Sequence, residues 1–224
     1  MPIHVRRLAP EPASTSDVEE AATWLVDAFK DDPVMPASTG GELHLSVNLW
    51  RGFIRAGLVG GEVYVAGVDS EDRVDGVAVW FAPGHGNGFL ETDEQLAVWQ
   101  ESFAQYLNED ARKFWEEDFE AVCGVIIDNA AGKEGHHSMW HLQLLGTRPS
   151  AQRQGVARAL IDHIADKAKD AGMRLETFTK VNVAVYEHLG FVHEGGDGTV
   201  TSPHGDVPIY GIFRWPEGRG KSSP

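Results

Sequence analysis

Apolar residues along the chain alternate between two-residue and helical spacing, and each change of period marks an element. Ile3 to Leu8 reads as a strand, and Glu11 to Ser16 as a polar loop. Val18, Ala21, Ala22, Leu25, Val26 and Phe29 then share one helical face, with Ser16 or Asp17 as cap and Glu19 and Glu20 in the first turn, where negative charge suits the helix dipole. Asp31-Asp32-Pro33 ends that helix, because the residue before a proline is pushed out of the α region. Leu43 to Leu58 predicts a second helix, closed by the glycines at 57, 60 and 61. Residues 62–68 and 74–81 read as two strands joined by a turn, and the glycines and proline of 82–88 break the pattern into a loop.

The stretch 91–120 changes the picture. Leu96, Trp99, Phe103, Tyr106, Leu107, Phe114, Trp115 and Phe119 predict two amphipathic helices, which carry ten acidic residues against Arg112 and Lys113. Their acidic faces are solvated; their aromatic faces suit either a pocket wall or a dimer interface, and the pattern leaves both open. Cys123 lies in the apolar run Ala121–Ile127 and reads as core. His136 and His137 follow in a loop over 130–138, with no further cluster at ligand spacing to make a metal site.

Trp140 to Thr147 is a strand-type run, followed by the polar turn Arg148-Pro149-Ser150-Ala151-Gln152-Arg153-Gln154-Gly155 and by helical spacing at Val156, Leu160, Ile161, Ile164 and Ala168. Gly155 lets a ligand oxygen approach the backbone where the helix starts. The first-turn N–H groups have no partner within the helix, and the dipole adds positive charge there. With Arg153 and Arg158 on either side, this is an anion site suited to a pyrophosphate. It is neither a P-loop, which needs Gly-Lys-Ser/Thr, nor a dinucleotide fingerprint, which needs three glycines. Residues 174–179 read as the next strand, 182–189 as a helix and 191–194 as a strand start. Gly195 to Pro208 reads as a glycine-rich connection, 209–215 as a last strand and 216–224 as a flexible tail.

A length of 224 residues suits one domain, here 1–215 with a helical insert at about 91–130. The formal net charge of −15 repels nucleic acid and anionic membranes and leaves a cationic small molecule as the favoured guest. A single cysteine fits a reducing compartment, and the start of the chain lacks the apolar core of a signal peptide, so a cytoplasmic location is expected. No apolar run approaches transmembrane length.

Two motifs carry a family resemblance. Gln152-x-x-Gly155-x-Ala157 after an apolar strand resembles motif A of the GNAT acyl-CoA N-acyltransferases, and Asn182-x-x-x-Tyr186-x-x-x-Gly190-Phe191 resembles the helix that follows their next strand. The Leu-Glu-Thr at 175–177 is similar to the puromycin-acetyltransferase type of small-molecule enzyme. The resemblance implies an α/β (α+β) fold with a splayed mixed sheet flanked by helices, and acetyl-CoA as co-substrate. Gln152, Arg153, Gln154, Gly155, Val156, Ala157 and Arg158 would hold the pyrophosphate. Leu145, Gly146, Thr147 and Asn182 would hold the rest of the cofactor, with Tyr186 near the sulfur as general acid. His141 occupies the position of the family's glutamate base, and Glu176 is its rival. Asp31 and Asp32 would hold a cationic acceptor. The implied activity is N-acetylation of a small-molecule amine. A peptide acceptor, or acyl-CoA binding without turnover, is the alternative.

Overall fold

The computed structural model describes residues 1–12 and 14–216. In chain order the elements are β1 (Ile3–Arg7), α1 (Thr15–Ala28), α2 (Val34–Ser38), α3 (Ser46–Gly60), β2 (Glu62–Val68), β3 (Gly76–Phe81), α4 (Asp93–Ser102), α5 (Glu109–Lys113), α6 (Glu120–Ala131), α7 (Gly135–Ser138), β4 (Trp140–Thr147), α8 (Val156–Ala168), β5 (Met173–Thr177), α9 (Lys180–His188), β6 (Val192–Ser202) and β7 (Gly205–Arg214). The strands form one sheet in the order β1-β2-β3-β4-β5-β7-β6. Every neighbouring pair is antiparallel except β4 and β5, which run parallel and are in register only at Trp140 with Met173 and His141 with Arg174.

The sheet is covered on both faces, and the two-residue period of a strand divides its side chains between two cores. In β2, Val63 and Val65 join the core beneath α1, α3 and the insert, while Tyr64, Ala66 and Val68 join the core beneath α8. The apolar face expected for α8 is the one it buries: Val156, Leu160, Ile161, Ile164 and Ala168. α1 buries Val18, Ala21, Ala22 and Leu25 as its spacing predicts, and Trp24 with them.

The insert differs from its reading as two helices. α4 is separate, but α5 runs through a π-helical stretch, Phe114–Phe119, into α6, so the apolar run at 121–127 is helical. Trp99, Phe103, Leu107 and Phe114 are buried in the core, which leaves Leu96 and Tyr106 as its exposed large apolar residues within 91–120. The insert is tied back to the α2 region: Trp115 Nε1 donates to the Ser38 carbonyl at 2.9 Å, and Asn108 Nδ2 to that of Gly40 at 2.9 Å.

The glycine-rich stretch after Val192 is strand rather than connection. β6 runs to Ser202, with a bulge between His193 and Asp197. Its glycines serve close packing. A Cβ on Gly198 would lie 2.3 Å from Val122 Cγ1, and one on Gly211 of β7 would lie 2.4 Å from Ile126 Cγ2, so α6 can rest on this hairpin only because side chains are absent there. α7 is a short helix where the sequence predicted a loop, and α2 is a short helix in a stretch the pattern left unread. The expected tail at 216–224 falls, beyond Pro216, outside the described residues.

Candidate active site

Beyond His141 the edges of β4 and β5 separate, because β4 continues along β3 while β5 continues along β7. The gap is a cavity of about 1370 Å³. That is larger than the roughly 300–1,000 Å³ of pockets for drug-sized ligands. Leu142 to Thr147 line one wall and Glu176 to Asn182, with Val185 and Tyr186, the other. The turn before α8 and Phe29, Asp31 and Asp32 complete the lining.

The turn has the form of an anion cradle. Arg153 has φ +61° and Gly155 φ +91°, so left-handed residues flank Gln154. Such curls aim successive N–H groups to one side. A left-handed conformation is uncommon for arginine, and strain of this kind is concentrated at ligand sites. No side chain caps α8, whose first N–H groups are left to the cavity. At Gly155 an added Cβ would meet only Ile3 Cδ1, at 3.5 Å, so the requirement for glycine comes from φ and not from crowding. Arg158 also bridges helices, donating from Nη2 to the His188 carbonyl at 3.0 Å. Arg148 points elsewhere: it pairs with Glu20 and Asp75 and donates to the Val74 carbonyl.

Thr179 caps α9 by accepting from the Asn182 N–H at 3.1 Å, which orients the helix so that Asn182 and Tyr186 face the cavity. The Tyr186 ring packs edge-on to Phe191 at 5.8 Å. Burial, and then the negative charge of Asp32, push its phenol well above the ordinary value, so it is protonated and able to donate. Asp32 lines the same cavity as Tyr186. Asp32 Oδ1 accepts from the Val34 N–H at 3.1 Å, at the start of α2.

Three polar side chains are packed where β4 and β5 still pair. His141 Nε2 lies 3.0 Å from Glu176 Oε2, and Arg174 Nη1 donates to Glu176 Oε1 at 2.9 Å. Their side chains are 14 %, 9 % and 7 % exposed, in the order His141, Glu176, Arg174, so this is a buried charge cluster. Burial opposes ionisation of Glu176, but the positive charge facing it outweighs burial and holds its carboxyl at about 2. Burial, then the Arg174 charge, hold the His141 imidazole below its ordinary value. A neutral His141 cannot supply the positive charge, so at neutral pH the permanent charge of Arg174 keeps Glu176 ionised.

The expected residues are therefore sorted as follows. Leu145, Gly146, Thr147, Gln152, Arg153, Gly155, Val156, Ala157, Arg158, Asn182, Tyr186, Glu176, Asp31 and Asp32 all line the one cavity. Gln154 does not; its side chain folds back to the Ser150 carbonyl at 3.0 Å. His141 does not line it either, because its ring lies behind Glu176. Gly146 has a second role: a Cβ there would lie 2.3 Å from Leu25 Cδ2, so α1 needs it bare. Sequence reading missed Phe29 and Phe178, and also His188 and Lys180, the last of which adds positive charge to the cavity wall. The helical period assigned Phe29 to the core, and no local pattern marks the other three. Among the described residues there is no group of three or more His, Cys, Asp or Glu placed to hold a metal ion, and no helix is long and apolar enough to cross a membrane.

Comparison with known proteins gives one family. The pattern of the acetyltransferase (GNAT) domain matches residues 110–193, which include the turn, α8 and the Tyr186 helix. The chain is 26% identical over 222 residues to an uncharacterised N-acetyltransferase of Schizosaccharomyces pombe, covering 96% of this chain and 86% of the relative. The fold is shared with a crystal structure from Corynebacterium glutamicum titled histone acetyltransferase HPA2 and related acetyltransferase, at TM-score 0.57 and 22% identity over 96% of this chain and 97% of that one. It is shared also with an N-acetyltransferase of Staphylococcus aureus, at TM-score 0.55 and 12% identity over 94% and 99% of the two chains.

Proposed function

We propose that this chain, as a GNAT N-acetyltransferase, transfers the acetyl group of acetyl-CoA directly to a small-molecule amine. The observation that carries the reading is the single cavity joining the anion cradle, the free edge of β4 and the protonated Tyr186.

Acetyl-CoA fits the donor set. The N–H groups of the turn, with Arg153 and Arg158, suit a pyrophosphate, and the edge of β4 over Leu145, Gly146 and Thr147 offers backbone partners to an amide-bearing arm. When bound, acetyl-CoA supplies the activated acetyl group, and the chain supplies orientation and proton handling. Backbone N–H groups at the β4 edge polarise the carbonyl that is attacked. Tyr186 donates a proton to the departing sulfur, which its raised pKa permits. Glu176 is a poor base, since Arg174 already stabilises its charge, and His141 is withheld behind it. The aromatic lining at Phe29 and Phe178 supports a small acceptor with an apolar body.

The test is release of free thiol from acetyl-CoA, measured with a panel of small amines and with lysine peptides. Acetyl transfer to at least one small amine, and less to the peptides, is expected; a preference for peptides would reverse the assignment. The cradle has its own test. Gly155→Ala forces an L side chain to φ +91° at a cost of about 1–2 kcal/mol. Acetyl-CoA affinity in calorimetry is expected to fall about tenfold or more as the turn relaxes, with the fold retained. Unchanged affinity would locate the anion site elsewhere.

A further inference from the structure

The acceptor end of the cavity has an imbalance of charge that defines what it can receive. Three carboxylates line it, Glu176, Asp32 and Asp31. Glu176 is already neutralised by Arg174 at 2.9 Å. Asp32 is not: among the described residues no lysine, arginine or histidine forms an ion pair with it, and its polar partner is the Val34 N–H at 3.1 Å. Asp31, beside it, is exposed at the rim. A partly buried carboxylate without a cation is costly unless a ligand brings one.

The walls around Asp32 are apolar and rigid. Asp32 donates its N–H to the Phe29 carbonyl at 3.0 Å, so Phe29 and Asp32 are held in one turn. The Phe29 ring is backed by Trp50 at 4.6 Å, and that of Phe178 by Phe119 at 5.9 Å, in a row of rings that continues through Phe53 and Trp115. Across the cavity stands the Tyr186 phenol, which carries the electrostatic imprint of Asp32.

Building on the acetyltransferase reading, we propose that the acceptor is a primary amine with one ammonium on an apolar, ring-bearing body, and that Asp32 both binds the ammonium and takes its proton. The rings of Phe29 and Phe178 receive the body, and Asp32, the more buried of the two carboxylates without a cation, receives the charge, while the exposed Asp31 is left to solvent. Burial pushes the Asp32 carboxyl above its ordinary value, which suits a group that must accept a proton. The step balances. The ammonium gives one proton to the Asp32 carboxylate and becomes a neutral amine. Its nitrogen attacks the thioester carbonyl, the C–N bond forms and the C–S bond breaks. Tyr186 protonates the sulfur and is restored by the second proton that the nitrogen sheds. Asp32 then returns its proton to solvent.

The experiment compares 2-phenylethylamine, spermidine and a lysine-containing peptide as acceptors, using wild-type protein, Asp32→Asn and Asp32→Glu. Asn keeps an oxygen for the Val34 N–H, so Asp32→Asn is expected to fold as wild type does. The expected result is a kcat/KM for 2-phenylethylamine at least about tenfold above the other two. Asp32→Asn should lower it about 10²–10³-fold with acetyl-CoA affinity unchanged in calorimetry. Asp32→Glu should recover part of the loss. Preference for spermidine or the peptide, no transfer to 2-phenylethylamine, or full activity in Asp32→Asn would overturn the proposal. Failure of the wild-type protein to bind acetyl-CoA would instead overturn the acetyltransferase reading beneath it.

Discussion

Arg174→Met is expected to cost about 3–5 kcal/mol of stability, because it removes one partner of a buried ion pair and leaves Glu176 charged and uncompensated. In urea the midpoint should fall with little change in slope, since the surface exposed on unfolding is nearly the same. The pH dependence has a definite sign. In the wild-type protein the Glu176 carboxyl is depressed from an ordinary value of 4.5 to about 2. The folded state therefore binds fewer protons than the unfolded one, and the stability this group confers is full above about pH 4.5 and lost as pH falls towards about 2. Without Arg174, His141 is the remaining partner of Glu176 and, relieved of the Arg174 charge, takes up a proton more readily. The deficit of the variant is then largest at neutral pH and shrinks in mild acid as His141 becomes charged. A deficit that is constant with pH would mean that Arg174 acts through packing alone.

Tyr186→Phe is expected to lower turnover about 10²-fold or more while leaving acetyl-CoA affinity within about twofold. The substitution keeps the ring and its contact with Phe191, at 5.8 Å, and deletes only the proton donor. Steady-state thiol release together with calorimetric titration separates the two quantities. Equal loss of affinity and turnover would reassign the hydroxyl to binding. Unchanged turnover at every pH would mean that the sulfur departs without an acid from this residue.

The stretch from Trp140 to Phe191 was the most legible part of the chain, for a physical reason. Strand, turn and helix there are each specified locally: by alternation in β4, by Gly155 at a position of positive φ, and by the helical spacing of Val156, Leu160 and Ile164. What the sequence left open depends on pairing between distant segments. Alternation correctly put His141 on the face of Gln143 and Leu145, but the cavity begins only where β5 leaves β4, one residue later. The neutralisation of Glu176 by Arg174, two positions away on the same strand, depends on how deeply both are buried. The strand nature of β6 was hidden because its glycines answer to α6 across the sheet and not to their own neighbours. Asp31 and Asp32 were expected at an acceptor site, but only the fold puts Asp32 in one cavity with Tyr186.

The position of β7 between β5 and β6 also orders events during synthesis. β5 carries Arg174 and Glu176, and the strand that pairs along its whole length is Gly205–Arg214, about thirty positions further on. While a ribosome still holds those residues, β5 has His141 and Trp140 of β4 as its short pairing and an open edge on its other side. Open edges recruit foreign strands, and the burial that fixes the charge cluster is incomplete at that moment. Nascent chains stalled before residue 205 should therefore be protease-sensitive across β5 and unable to retain acetyl-CoA, however well β1 to β4 have formed. The catalytic cleft is assembled by its last strand, so premature release yields an inactive and aggregation-prone fragment rather than a weakened enzyme.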